Sequence, residues 1–215
     1  MTEYLTEQEQ IELLKNWIKQ YSLVIIIGVL LAIVAITGWR YWQQRQAKIL
    51  SHASSVYDEM LTMRAQKDRE ATYIQANKLF SHYSKTVYGQ MAALMLARDA
   101  ILKKDYNEAE KQLRWVIDQS AIPSFEQIAR LRLARLLISQ QKSEEALAIL
   151  SKVRDKTFNG LINEVRGDAY FAMKKMNEAR QAYGQAITDL PNAEVMRPLL
   201  QMKYDNLAPS TTSPR

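Results

Sequence analysis

The 215-residue sequence contains no cysteine, which excludes disulfide staples, thiolate metal sites and a cysteine nucleophile. A cysteine-free chain fits a reducing or an oxidising compartment equally, so this absence does not place the protein. Glycine occurs six times and proline five times, and β-branched alternation is nearly absent after residue 42, which argues against strands. Only two histidines occur, His52 and His82, and both are expected in surface or packing roles. There is no phosphate-binding glycine loop, Gly-x-Ser-x-Gly elbow, His-Glu-x-x-His pair or calcium loop. The paired acids Glu144 and Glu145 fall in the first turn of a predicted helix, where the helix dipole favours them, so they read as structural. The expectation is a protein that is not an enzyme and uses no cofactor or metal.

What is present begins with one uncharged stretch, Tyr21 to Trp39, that has no counterpart elsewhere in the chain. Eleven Leu, Ile or Val residues lie between Leu23 and Ile36. Each contributes about −0.3 to −0.6 kcal/mol to insertion near a bilayer centre. As a helix, Ser22 to Trp39 spans roughly 27 Å, close to the ~30 Å hydrocarbon core of a membrane. Trp17 and Tyr21 stand at one end and Trp39, Tyr41 and Trp42 at the other, where amphipathic rings suit the headgroup region. A cleaved signal peptide is disfavoured. The leader carries Glu3, Glu7, Glu9 and Glu12 against Lys15 and Lys19, and the nearest small-residue pair, Ala35 and Thr37, is a poor cleavage site with bulky Trp39 to Trp42 following at once. The predicted organisation is an acidic leader (1–20), a transmembrane anchor (21–42), a helical domain (43–206) and a disordered tail (207–215). Within the anchor, Gly28 and Ala32 form a small-xxx-small pair that would let a second membrane helix approach. The flanking cations, Lys15 and Lys19 before and Arg40, Arg45 and Lys48 after, lean towards a cytoplasmic carboxyl-terminal domain.

Residues 1–42 hold 3 of the 29 basic and 4 of the 23 acidic residues, so the remainder carries 26 against 19, a net of +7. These charges are scattered, as on a solvated helical exterior, and lack the interleaved aromatics of a nucleic-acid reader. Apolar spacings of three and four run almost continuously from Leu50 onward. Short polar breaks fall at Lys103 to Asp105, Ser120 to Ser124, Gln140 to Ser143, Asn159-Gly160 and Lys174-Lys175. Turns this short between helices of about twelve to sixteen residues imply antiparallel hairpins.

An internal repeat sharpens this into an architecture. Ala93 to Val116, Arg130 to Val153 and Asn163 to Ala186 align without gaps. Ala109, Ala146 and Ala179 share one position, each after a glutamate; twelve residues earlier stand Ala97, Ala134 and Gly167, and four later Leu113, Leu150 and Tyr183. The spacings of 37 and 33 bracket the roughly 34-residue tetratricopeptide period. Small residues let the first helix of each pair (helix A) approach the second (helix B), and the larger residue fills the gap between them. Asp105, Ser143 and Asn177 are predicted N-caps of the three B helices, and Pro191 marks a closing turn. A fourth, degenerate unit is readable ahead of these, with Ala76 aligned to Ala109, Phe80 four residues later and Arg64 at the small position. Trp115 is expected to pack. Past Pro198 the helical signal thins. The fold class is all-α: a transmembrane helix, then a tetratricopeptide-like α-solenoid of antiparallel pairs.

Such an array binds polypeptide along its A helices. The candidate partner-binding residues are Met91, Leu94, Arg98 and Ile101, then Gln127, Arg135 and Ile138, then Glu164, Asp168 and Phe171. Gly38-Trp-Arg-Tyr-Trp42 after the anchor, with Leu131-Arg-Leu-Ala-Arg135 and Val165-Arg-Gly-Asp-Ala169, is similar to the YfgM family, ancillary subunits of the bacterial Sec translocon. The resemblance implies a bacterial inner-membrane protein with a cytoplasmic amino terminus and a periplasmic repeat domain, a placement the charge count does not support. It implies as partners the Sec translocon subunits, a membrane-anchored periplasmic chaperone of the prolyl-isomerase type, and exported polypeptides in passage. It also implies restraint of a stress-response regulator from the cytoplasmic side. A scaffold for envelope assembly or cell division is the competing reading.

Overall fold

The computed structural model describes residues 7–153, 155–190 and 197–207, and every regular element among them is helical. In chain order these are α1 (Glu7–Ala65), α2 (Arg69–His82), α3 (Val87–Leu102), α4 (Tyr106–Gln119), α5 (Pro123–Ser139), α6 (Ser143–Leu150), a single 3-10 turn (Lys156–Phe158), α7 (Asn159–Ala172), α8 (Met176–Asp189) and α9 (Arg197–Asp205). By contacts the chain divides into two units, Met1–His52 and Ala53–Arg215. The closing turn at Pro191, the first residues of the leader and the tail from 208 lie outside the described residues.

The first unit is helical from Glu7, with no break between the apolar run and the residues after it. Its described apolar side chains face outward: Leu23, Val24, Leu30, Ile33 and Ile36 are all exposed. It is the one helix among the described residues long and apolar enough to cross a membrane. The Thr37 hydroxyl donates to the Ile33 carbonyl at 2.7 Å, and the Ser22 hydroxyl donates to the Lys19 carbonyl at 3.2 Å. The polar atoms at both edges of the run are thus satisfied within the helix, as a lipid environment demands. Trp17 pairs with Tyr21 and Trp39 with Trp42, each at 5.4 Å between ring centroids.

In the second unit, four A-to-B reversals are built alike. Lys67, Lys104, Gln141 and Lys174 each adopt φ between 59° and 65°, the left-handed region. At each, the amide of this residue donates three positions back and the next amide donates five positions back, as in Lys104 to Ile101 (3.0 Å) and Asp105 to Ala100 (2.9 Å). That double bond closes helix A's orphan carbonyls. It also fixes the following residue as the N-cap of helix B: Asp68, Asp105, Lys142 and Lys175. Asp68 and Asp105 accept from the amides of Ala71 and Glu108, at 3.0 and 3.2 Å. Of the predicted caps only Asp105 therefore serves. Ser143 is the first residue of α6 and Asn177 the second of α8, because the turn sets the boundary one or two residues earlier.

Three further expectations are corrected. Asn159-Gly160 opens α7 instead of breaking the chain. Gly160 is there for packing: a Cβ would lie 2.2 Å from Leu190 Cγ. α6 stops after eight residues, shorter than predicted, and the chain reaches α7 through the 3-10 turn. Helix continues past Pro198 into α9, since proline is tolerated in a first turn.

The repeat alignment is visible as burial. Ala97, Ala109, Leu113 and Val116 and their counterparts Ala134, Ala146 and Leu150 form one buried cluster across α3 to α7. The first hairpin is present too, but four residues out of the predicted register. Measured from the left-handed residue, Thr72 is the counterpart of Ala109, Met60 of Ala97 and Ala76 of Leu113. Met60 and Ala76 are both fully buried, in a cluster with Tyr57, Leu79 and Leu96. Arg64, counted as the small position in the sequence, is the counterpart of Ile101 and lies outside the crossing.

Candidate partner-binding face

The A helices α3, α5 and α7 carry the candidate residues, and the repeat brings them into two registers related by 37 and 33 residues: Arg98, Arg135, Asp168 and Ile101, Ile138, Phe171. Within the apolar register Ile101 is 38% and Phe171 52% exposed, while Ile138 is half-buried against the core. Met91 is exposed at the amino end of the same face. Leu94 and Gln127 are placed differently from their neighbours: both are buried, Leu94 in the main core, and neither presents its side chain to solvent.

The charged register is tied into an internal network. Arg135 donates to Glu164 at 3.2 Å, and Lys203 from α9 donates to Glu164 at 3.1 Å and to Asp168 at 2.7 Å. The Tyr183 hydroxyl donates to Asp168 at 2.7 Å. Glu164, with a side chain only 9% exposed, is thus satisfied by two cations, as a buried carboxylate must be. Burial, and then the hydrogen bond and charge of Asp168, push the Tyr183 hydroxyl above its ordinary pKa, so it remains a donor. Burial opposes the charge of Lys203, but the bonds and charges of Asp168 and Glu164 outweigh it and raise its pKa. At this end the A-helix face is therefore already partnered by the chain itself, whereas Arg98 on α3 stands exposed.

A second ion pair lay beyond the sequence reading. Arg64 Nε and Nη2 donate to the two carboxylate oxygens of Asp99, both at 2.7 Å. The Arg64 hydrogen bonds hold the Asp99 carboxyl below its ordinary range despite partial burial. A cleft of about 500 Å³ opens beside this pair, with Leu96 and Ala100 in its floor and Tyr73 and Leu102 at its rim. Neither Lys203 nor Asp99 carries a local signal, since each finds its partner 35 or more residues away. No three His, Asp or Glu side chains cluster as a metal-binding set among the described residues. In the first unit Gly28 and Ala32 are exposed on one helix face, and a Cβ at Gly28 would meet nothing within 4 Å.

Comparison with known proteins gives this arrangement relatives. The model of a tetratricopeptide repeat-like domain matches residues 15–209. A protein of Neisseria gonorrhoeae named ancillary SecYEG translocon subunit is 31% identical over 209 residues, spanning 96% of this chain and 100% of its own length. Proteins of the same name from Haemophilus influenzae and Escherichia coli are 29% and 27% identical, covering 94% and 95% of this chain and 98% of each relative. No solved structure matches the chain. The chain belongs to the tetratricopeptide repeat-like YfgM family, whose named members are ancillary SecYEG translocon subunits.

Proposed function

We propose that the protein is a membrane-tethered interaction module of the Sec translocon that passes emerging chains to chaperones on the periplasmic side. The observation that carries this reading is the near-full-length match to proteins named ancillary SecYEG translocon subunit. The helix of apolar, exposed side chains supports residence in the inner membrane. The orientation proposed, amino terminus in the cytoplasm and helical array in the periplasm, follows the family resemblance. A repeat array among subunits of a channel points to a non-catalytic role.

On this reading the exposed residues of the A helices, Met91, Arg98, Ile101 and Phe171, meet polypeptide, and Gly28 and Ala32 meet a membrane helix of the channel. The partner on the receiving side is a membrane-anchored chaperone of the prolyl-isomerase type. Photo-crosslinkers placed at Ile101, Phe171 and Gly28 in native membranes should trap translocon, chaperone or nascent-chain partners. Capture of abundant neighbours only, in equal yield from all three sites, would overturn the reading. A reporter fused after Arg215 should read out on the periplasmic side, and a cytoplasmic signal would overturn the placement.

A further inference from the structure

The repeats supply an internal control for the groove between neighbouring B helices, and one such groove is unlike the next. Between α4 and α6 the groove is bridged: Arg114 of α4 donates to Glu145 of α6 at 2.7 Å while also holding Glu110 at 2.8 Å. The counterpart of Arg114 on α2 is Asn77, and the counterpart of Glu145 on α4 is Glu108. An amide therefore stands where the bridging cation stands one repeat later. The groove between α2 and α4 is open, with a volume of about 510 Å³, and Tyr73, Asn77, Phe80, Glu108, Gln112 and Trp115 line it. That falls within the roughly 300–1,000 Å³ of sites that hold small groups.

Two further positions shape the same groove. Gln112 stands where α6 has Ile149 and, like its α2 counterpart Gln75, is a glutamine; it is 6% exposed. Its amide donates to Glu108 at 2.7 Å, which orients that carboxylate in the groove wall. Trp115 stands where the other repeats have Lys78, Lys152 and Gln185. Packing holds one part of it, at 4.6 Å from Phe80 between ring centroids, and the rest lines this groove and an adjoining one beside Asp118. Lys111 approaches Glu108 only at 3.7 Å and is itself largely exposed. On a chain of net charge +6, the groove gathers Asp105 and Glu108 against a single lysine.

We infer that the α2–α4 groove is a docking site for an arginine-bearing segment of a partner polypeptide. The guanidinium takes the place Arg114 takes in the next groove, donating to Glu108, and an apolar neighbour lies on the faces of Trp115 and Phe80. Arginine suits the site better than lysine, because its planar fork matches a carboxylate and stacks on an aromatic ring. The surface is formed by B helices and is separate from the A-helix registers of the proposed function.

The test uses the full chain in nanodiscs of zwitterionic lipid, labelled with 15N at tryptophan. The probe is the end-blocked peptide Ser-Leu-Arg-Leu-Arg-Ser, and the control is the same peptide with glutamate for arginine. The arginine peptide should shift the Trp115 indole resonance saturably, and the glutamate peptide should not. Asn77→Arg, which rebuilds the Arg114–Glu145 bridge in cis at an exposed position, should weaken binding at least tenfold. Glu108→Gln should do the same without filling the groove. A Trp115 resonance unmoved by the arginine peptide, equal shifts with both peptides, or unchanged affinity in Asn77→Arg and Glu108→Gln would overturn the assignment.

Discussion

The first and last hairpins of the helical array share a turn and invert a packing rule. In the last, helix A offers Gly167 and helix B offers Tyr183: a Cβ at Gly167 would lie 2.3 Å from Tyr183 Cε1. In the first, helix A offers Met60 and helix B offers Ala76, both fully buried. The middle hairpins, Ala97 with Leu113 and Ala134 with Leu150, follow the last. What a repeat specifies is the summed volume at a crossing, not which helix supplies it. The inversion moves bulk onto helix A of the first hairpin, one turn before Arg64 reaches Asp99 and beside the cleft at that ion pair.

Breaking the inverted crossing should have the largest effect. Met60→Ala empties a fully buried site and should cost about 2–5 kcal/mol, read as a lowered urea midpoint of the full chain. Adding Ala76→Leu, so that the first hairpin takes the sizes of the second, should recover part of that loss. If the double variant falls as the sum of the single ones, summed volume does not govern the crossing. The last hairpin is the converse. Gly167→Ala should cost about 1–3 kcal/mol, because the Tyr183 ring is buried and cannot swing aside. Tyr183→Leu in the same chain should relieve it, while releasing Asp168 from one of its donors.

These contrasts show what was legible in the sequence and why the rest was not. The anchor was legible because an apolar run long enough for a bilayer is a local property, and three hairpins were legible because Ala, Gly and Leu recur at fixed offsets. The first hairpin was misregistered by four residues because Ala76 imitates the small-residue position while the real crossing residue is Met60. A motif defined by small side chains cannot register a unit that exchanges sizes between helices. The turns at Lys104, Gln141 and Lys174 are legible as polar breaks, whereas Asn159-Gly160 opens a helix, and the N-caps at Lys142 and Lys175 are set by backbone bonds, not by the best capping side chain nearby. The candidate face was half legible. Repeat position placed Ile101 and Phe171 in the open, yet it gave no warning that Lys203 returns from α9 to Glu164 and Asp168.

The ion pair of the first hairpin has no equivalent in the middle repeats and can be separated from the packing by pH. Asp99→Asn should cost about 1 kcal/mol at neutral pH, a figure held low because Arg64 is 38% exposed to screening solvent. Arg64 depresses the Asp99 pKa below its ordinary 3.8, so the contribution is complete above that value and is lost as pH falls through the folded-state pKa. The stability difference between wild type and Asp99→Asn should therefore hold from neutral pH down to about 4, shrink below that, and vanish only once the pH is under the folded-state pKa. A difference that persists in acid would mean that Asp99 acts by packing alone.

The smallest effect should come from what the hairpins have in common. Lys67, Lys104, Gln141 and Lys174 hold left-handed backbone with a Cβ present, and all four are exposed. Glycine removes the steric cost of that conformation but adds entropy to the unfolded chain, and at a left-handed C′ site the first term wins. Each substitution to glycine should stabilise by about 0.5–1 kcal/mol. Because the turn is the same four times over, the gain should be equal in the first and last hairpins despite their opposite packing. If Lys67→Gly differs from Lys174→Gly by more than the gain itself, the turn and the crossing are energetically coupled. The size inversion would then reach into the backbone that joins the two helices.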